Sequence, residues 1–309
     1  MRAKALDSFR TADKVAGMTL RPRRSVLYMP GSNARALEKA KTLAADGVIL
    51  DLEDSVAPEA KETARRQVAD AVKAGGFGGR EVFIRVNGVD TPWHADDLRA
   101  AAHAAPDAIL VPKISNPEML ELIGRRLLDM HSDHKIRIWA MIETPLAIFN
   151  ILSIAAEARD SESRLSGFVM GTNDLAKDTR ARIVPGRAPM LPWLTTCVAA
   201  ARIHGIDILD GVYNDIGNAE GFAAECAQAV DLGFDGKTLI HPGQIEPCNK
   251  AFSPSPDDVA LARKMIAAFD LPENKSKGVV SIDGRMVERL HAEMARRTVA
   301  IADAIGARQ

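Results

Sequence analysis

Ile138-Trp-Ala-Met-Ile-Glu143 and Gly167-Phe-Val-Met-Gly-Thr-Asn-Asp174 are two short apolar runs, each closed by a carboxylate. Runs of this length without polar alternation read as strands of a parallel sheet covered on both faces. A helical pattern over 145–156 separates them. They therefore read as neighbouring strands of one β–α–β unit, with Glu143 and Asp174 at their C-terminal ends, the end at which α/β architectures bind ligands. Two oxygen ligands on adjacent strand ends suit a hard cation such as Mg²⁺, which keeps its other positions for water and substrate. The alternative is that each carboxylate caps the helix that follows it.

The same pattern extends outward in both directions. Apolar runs recur at 25–29, 48–52, 82–86, 108–112, 138–142, 168–171, 206–212 and 237–241. Helical patterns fill most gaps, at 34–45, 59–73, 95–104, 117–130, 145–156, 191–204 and 219–232. Eight such alternations predict a (β/α)8 TIM barrel over residues 23–270, with an open doubly wound sheet as the alternative. No Gly-x-Gly-x-x-Gly follows the first strand, which weakens the dinucleotide-binding form of that alternative. Beyond the eighth strand, 255–269 reads as a helix with Pro256 in its first turn. Residues 271–309 read as a polar linker (271–278), a short strand (279–282) and an amphipathic helix (285–305). Together they would form a lid over the barrel mouth or an arm on another subunit.

Net charge is −1, so no basic field for nucleic acid exists. Cys197, Cys226 and Cys248 lack metal or disulfide spacing and read as free thiols in a reducing, cytoplasmic compartment. No apolar run reaches membrane-spanning length. The first 24 residues hold seven Lys/Arg against two Asp but no apolar segment, so they are not a secretory signal. Residues 1–22 read as a tail, mobile or touching another subunit, with a transit peptide as the alternative.

Polar residues gather at the predicted strand ends. Strand one ends in Tyr28-Met-Pro-Gly-Ser-Asn33, where a Pro30-Gly31 turn could turn N–H groups toward an anion. Arg35 and Lys39 lie four apart on the next helix, placed for phosphates or forming an ordinary solvated face. Asp51-Leu-Glu53-Asp54 closes strand two. Three carboxylates so close repel one another unless a cation shares the site. Asp51 is expected to point into the barrel or pair with a lysine. Glu53 and Asp54 are expected to reach the mouth and orient metal-bound water or a basic partner, although Asp54-Ser55 could instead cap the helix after Pro58. Arg85 sits inside an apolar strand, where burial is costly without a partner. Its planar fork matches a carboxylate or an enolate oxygen, with an ion pair to Glu53 or Asp51 as the structural alternative. Lys113 ends strand four. His241 ends strand eight and reads as a hydrogen-bonded mouth residue rather than a base. Met170, Val212 and the loop 178–189 are expected to shape the substrate end of the mouth.

Ser-Val-Leu-Tyr-Met-Pro-Gly-Ser-Asn (25–33), Asp-Leu-Glu-Asp-Ser-Val (51–56), Ile-Arg-Val-Asn-Gly (84–88), Val-Pro-Lys-Ile (111–114), Ile-Glu-Thr (142–144), Gly-Thr-Asn-Asp-Leu (171–175) and Ile-His-Pro-Gly-Gln-Ile (240–245) stand in an order that resembles the citrate lyase β-subunit-like CoA-ester lyases of the HpcH/HpaI aldolase superfamily. The likeness runs from about Arg21 to the last helix. Asp90-Thr-Pro-Trp93 looks most like malyl-CoA and β-methylmalyl-CoA lyases.

The resemblance implies a Mg²⁺-dependent barrel, with Mn²⁺ as the other candidate metal, assembled as a homotrimer or hexamer whose C-terminal lid completes a neighbour's site. Glu143 and Asp174 fall on the metal ligands, and Arg85 on the arginine that binds the keto acid and steadies the enolate. Tyr28, Asn33, Arg35 and Lys39 fall in the segment that contacts coenzyme A, itself part of the substrate. Asn173, Ile240 and His241 fall on substrate-contacting positions. Two departures stand out. Asn33 replaces an arginine found in some relatives. Gly284-Arg-Met-Val-Glu288 carries Glu where the family's lid motif carries a catalytic Asp, with Asp283 as a nearby substitute. The activity so implied is reversible retro-Claisen cleavage of a 3-hydroxy-3-carboxyacyl-CoA into an acyl-CoA and a 2-keto acid, with Arg85, Glu288, Glu53 and Asp54 as the catalytic set. Its rivals are a malyl-CoA thioesterase on the same site, a CoA-independent pyruvate aldolase and a non-catalytic subunit of a lyase complex.

Overall fold

Strands β1 (Ser25–Pro30), β2 (Gly47–Asp51), β3 (Glu81–Arg85), β4 (Ala108–Val111), β5 (Arg137–Ile142), β6 (Leu165–Met170), β7 (Asp207–Asp210) and β8 (Gly236–Leu239) run parallel and in chain order around a closed ring. The ring is seen in a computed structural model that describes residues 20–308. Val26 of β1 pairs with Thr238 of β8, which closes the sheet and excludes the open doubly wound alternative.

Strand periodicity sorts the core into two layers. Val26, Ile49, Phe83, Leu110, Trp139, Val169 and Leu209 fill the barrel interior. Their neighbours Leu27, Leu50, Ile84, Ile138, Phe168 and Ile208 face outward onto the helices. Each such side chain contributes about 1.5–3 kcal/mol when fully buried. Trp139 is the largest interior group. It meets Phe83 edge to face at 5.3 Å, and a methyl on Gly167 would lie 2.6 Å from its ring. Below it, Arg23 pairs with Glu81 and Asp207 and lies 5.2 Å over the indole. That ionic plug seals the N-terminal end of the barrel and leaves the C-terminal end as the mouth.

The helices depart from expectation at identifiable points. The first, Ala34–Ala40, is shorter than the 34–45 pattern. The 145–156 pattern breaks at Asn150 into Pro145–Phe149 and Ile151–Ala156, and the Asn150 amide donates to the Ser115 carbonyl at 2.9 Å. Helices Thr172–Thr179 and Ile245–Ala251 were not anticipated. The three cysteines are buried and free, and no described helix is long and apolar enough to cross a membrane.

The chain divides between Phe252 and Ser253, not at 270. Helix Pro256–Asp270 packs with helix Arg289–Gly306. Phe269 of the first and Ala292 of the second share a small core with Val280, Ile282 and Val287. The expected helix from 285 begins only at Arg289. Residues Arg285–Glu288 instead pair antiparallel with Val279–Ile282. The cause is the two-residue turn Asp283-Gly284, whose φ angles of 51° and 77° make a tight hairpin connection. Of the expected tail 1–22, residues 1–19 lie outside the described residues.

Candidate active site

Glu143 follows β5 and is 1% exposed. Its Oε1 accepts the Lys113 N–H at 2.8 Å. Lys113 reaches that position through a left-handed backbone, φ 56°, uncommon for a residue with a side chain. Thr144, not Glu143, caps the following helix, its hydroxyl accepting from the Ala147 N–H at 3.1 Å. Asp174 lies inside the first turn of Thr172–Thr179, whose N-cap is Gly171. Neither carboxylate is a cap, so the structural alternative fails for both.

The two acids line one cavity of about 330 Å³ at the barrel mouth, together with Arg85, Asp51, Asp54 and Asn173. Met141, Met170, Val212 and Ile240 give it an apolar side. Gly171, also on the cavity wall, lies so close to Glu143 that a methyl there would overlap Glu143 Cβ and Oε2.

Arg85 is clasped rather than free. Its Nε and Nη2 donate to the two oxygens of Asp51 at 2.7 and 2.8 Å. Its Nη1 lies 2.8 Å from Glu53 Oε2 and 3.4 Å from Asp54 Oδ2. The Glu53 contact lacks hydrogen-bond alignment, so Glu53 Oε2 is compensated in charge but has no directed donor. The Tyr28 ring lies 4.8 Å from the guanidinium carbon, a cation–π contact. Asp51 therefore pairs with an arginine, not a lysine, and both proposed partners of Arg85 are real at once. Asp54 and Ser55 cap nothing; the N-cap before Pro58 is Ala57, which has no side-chain cap.

The charges leave an excess of anion around Glu143. Burial first, then the charges of Glu53 and Asp174, push its carboxyl up to about 8, against the opposing pull of Arg85 and the Lys113 amide. Burial likewise raises Glu53, with Arg85 opposing. Asp51 is held below the usual carboxylate range because Arg85 outweighs its burial. Burial disfavours the Lys113 ammonium, but Glu53, Glu143 and Asp174 outweigh it and raise its pKa. Among the described residues no three His, Cys, Asp or Glu side chains form a ready ligand cage. A pair of hard carboxylates on a cavity edge, one only partly compensated within the protein, fits a cation that takes one or two protein oxygens and keeps its water, as Mg²⁺ does.

The other anticipated residues divide. Ile240 and Tyr28 line the cavity. Asn173 lines it too and exchanges amide hydrogen bonds with Asn214, at 2.7 and 3.2 Å, a partner the sequence did not flag. Asn33 caps its helix by accepting from the Ala36 N–H at 3.1 Å. The Gly31 N–H donates to the Asp51 carbonyl at 2.9 Å, so it is not turned toward an anion as expected. Arg35 and Lys39 are exposed. His241 Nδ1 accepts from the Gly243 N–H at 3.1 Å. No residue of 178–189 lines the cavity; Arg187 ties that loop to buried Asp210 at 2.7 Å. In the C-terminal unit, Glu288 stands at the N-cap of helix Arg289–Gly306, where its backbone N–H donates to His291 Nδ1 at 3.0 Å. Missed altogether were Thr172 and Thr238 on the cavity wall, small polar residues with no distinctive spacing.

A closed (β/α)8 barrel whose acidic strand ends surround a clasped arginine is the architecture of a barrel enzyme with its site at the C-terminal mouth. The chain belongs to the HpcH/HpaI aldolase/citrate lyase family, whose profile matches residues 24–242. It is 49% identical over 286 residues to a (3S)-malyl-CoA thioesterase of Cereibacter sphaeroides, covering 93% of this chain and 96% of that one. It is 33% identical over 294 residues to the citrate lyase subunit beta of Escherichia coli, covering 94% and 96%. Among solved structures, protein CitE of Mycobacterium tuberculosis, in complex with magnesium, acetoacetate and coenzyme A, is 29% identical. It superposes with a TM-score of 0.74 over 92% of this chain and 100% of that one.

Proposed function

We propose that the protein acts on the CoA thioester of a 3-hydroxy-3-carboxy acid of the malyl-CoA type, with Mg²⁺ held by Glu143 and Asp174. The observation that carries this reading is the state of Glu143. One oxygen is fixed by the Lys113 amide, the side chain borders the cavity beside Asp174, and burial with the neighbouring charges of Glu53 and Asp174 lifts the carboxyl to about 8, a penalty that a cation shared with Asp174 would offset. The chemistry such a cation supplies is Lewis-acid stabilisation of a substrate oxygen that gains negative charge.

Two reactions share this ground. In hydrolysis, water forms a bond to the thioester carbon, the C–S bond breaks, and the thiolate of CoA takes up a proton. In retro-Claisen cleavage, the hydroxyl proton leaves and the bond between the hydroxyl-bearing carbon and the α-carbon breaks. The electron pair passes to a thioester enolate, which is then protonated. Sequence motifs alone rank cleavage first. The likeness of nearly the whole chain to the Cereibacter thioesterase supports hydrolysis as the leading reading. Cleavage stands second, favoured by the likeness to citrate lyase subunit beta.

In either reaction Arg85, immobilised by Asp51, Glu53 and Asp54, offers a fixed positive charge to the oxygen that becomes anionic. Glu288, supplied by another copy in a trimer or hexamer, moves the proton, with Asn173 orienting the substrate. Tyr28 and Ile240 border the thioester end. Exposed Arg35 and Lys39 are the candidate phosphate contacts, with Asn33 and His241 as further candidates for coenzyme A. The buried free thiols support a reducing compartment such as the cytoplasm.

The test is product analysis after incubation with (3S)-malyl-CoA and Mg²⁺. Malate with free CoA supports hydrolysis. Glyoxylate with acetyl-CoA supports cleavage. Unconsumed substrate defeats both and leaves a non-catalytic subunit.

A further inference from the structure

Lys61 opens the helix Lys61–Ala74, yet it is only 6% exposed. Its Nζ donates to the carbonyls of Leu52 and Glu53 at 2.8 and 2.7 Å and to Asn87 Oδ1 at 2.7 Å. Three acceptors use all three ammonium protons, so the charged form is the one held. The ring of Trp93 lies 5.1 Å from Nζ and covers it. Asn87 is itself fixed. Its amide nitrogen donates to the Leu52 carbonyl at 2.9 Å, its backbone N–H to Asp97 Oδ2 at 3.1 Å, and its carbonyl meets His94 Nδ1 at 2.8 Å. Asp97 in turn takes Arg65 Nε at 2.7 Å. One buried polar network therefore runs from the helix His94–Ala104 to the backbone of residues 52 and 53.

That backbone matters because of what it carries. Glu53 and Asp54 project from it onto Arg85 Nη1, at 2.8 and 3.4 Å. Two successive carbonyls turned onto one point repel, and a donor with several protons between them offsets that repulsion. An apolar residue of the same length at 61 would remove the one donor the two carbonyls share, leaving Leu52 O to the Asn87 amide at 2.9 Å and Glu53 O to the Val56 N–H at 3.0 Å, and the turn would loosen. The Thr91-Pro92-Trp93 segment, for which no role follows from the cavity, gains one as the cover of this clamp.

We propose that Lys61, roofed by Trp93, is a positioning residue: by gathering the Leu52 and Glu53 carbonyls it aims Glu53 and Asp54 at Arg85 and so fixes the guanidinium for the substrate oxygen. This rests on the reading of the site given above. No hydrogen bond joins the Lys61 ammonium to Glu143 or Asp174, and the network reaches Glu143 only through the charge of Glu53, so metal binding should change far less than turnover.

Lys61→Met and Trp93→Leu test the assignment, the second keeping the ammonium if the first fails to fold. In Lys61→Met, kcat on malyl-CoA falls roughly 10- to 100-fold, the scale for a group displaced by about 1 Å. Mg²⁺ affinity by calorimetry stays within about twofold of native. Trp93→Leu shifts kcat the same way by less. A crystal structure of Lys61→Met shows the Glu53 carboxylate withdrawn from Arg85. Native kcat in a folded Lys61→Met, or Mg²⁺ affinity lost in step with kcat, overturns the proposal. If the wild-type protein leaves malyl-CoA untouched, the functional reading has failed on its own. Lys61 is then judged by the crystal structure, where a Glu53–Arg85 contact kept without the ammonium refutes it.

Discussion

Gly171 and Glu143 stand so close at the ends of β6 and β5 that the missing side chain of one is the space occupied by the other. A Cβ at 171 would overlap Glu143 Cβ and Oε2. The backbone cannot easily yield, because the Gly171 N–H is bound to the Ile142 carbonyl at 3.0 Å. Gly171→Ala should therefore push Glu143 off its position while the barrel persists. The expected stability cost is about 1–3 kcal/mol, as for other overpacked sites. The expected loss of kcat/KM is on the order of a hundredfold. Calorimetric Mg²⁺ titration and urea unfolding of the variant check both; native Mg²⁺ affinity would show that the space is not needed.

Arg85→Lys keeps the charge but loses the fork that matches Asp51. Two parallel hydrogen bonds become at most one, and Glu53 is left with a weaker counter-ion. A fall in kcat of about 10²–10³ is expected, comparable to removing a preorganised donor from an oxyanion site. Stability should drop by about 1–3 kcal/mol. Steady-state kinetics beside chemical denaturation separates the two effects; unchanged kcat would place the charge, not the geometry, in control.

Lys113 serves Glu143 through its backbone. Its left-handed conformation costs about 1–2 kcal/mol for a residue with a Cβ. Lys113→Gly should relieve that strain and keep the amide on Glu143, so Mg²⁺ affinity stays within about threefold, while Lys113→Val should lose stability by about 1–3 kcal/mol. Thermal melts and Mg²⁺ titrations on the pair read this directly. Lost Mg²⁺ binding in the glycine variant would transfer the role to the ammonium.

Asp210 predicts an acid limb. It is fully buried and takes Arg187 Nη1 at 2.7 Å and Lys237 Nζ at 2.7 Å. Burial alone would raise its pKa, but the charges and hydrogen bonds of Lys237 and Arg187 outweigh it and hold the carboxyl below the ordinary range. A folded pKa below the unfolded one stabilises the protein at pH values above the unfolded pKa, about 4. That contribution is lost as pH falls through the folded value. Asp210→Asn should cost about 3 kcal/mol near neutrality, since two buried cations are left with Glu225 alone, 2.7 Å from Lys237 Nζ and 3.6 Å from Arg187 Nε. The gap to native should narrow only below about pH 4. Urea unfolding across pH 3–7 measures it; a gap that stays constant throughout contradicts the pairing.

The barrel was legible because its strands are covered on both faces, so Ile138–Ile142 and its counterparts read as unbroken apolar runs. That Glu143, Asp174 and Arg85 meet at one cavity was legible because a charge at the end of, or inside, such a run has few structural excuses. The C-terminal hairpin was not read, although Asp283-Gly284 between alternating residues is a local turn signal; the helical pattern of the following residues masked it. The grip on Glu143 could not be read at all, because it depends on a positive φ at Lys113 that no side chain announces. The clamp on Arg85 was half read. Its carboxylates were named singly, but their sharing of one guanidinium depends on how Lys61 folds the Leu52–Glu53 backbone.

The most direct test of the account is turnover of (3S)-malyl-CoA as a function of Mg²⁺, in the native protein and in Glu143→Gln, which keeps the shape and removes the charge. The account predicts saturable Mg²⁺ dependence in the native protein, abolished by chelation, and a loss of at least about a hundredfold in the variant. Equal turnover by the two proteins, or turnover indifferent to chelation, would contradict it.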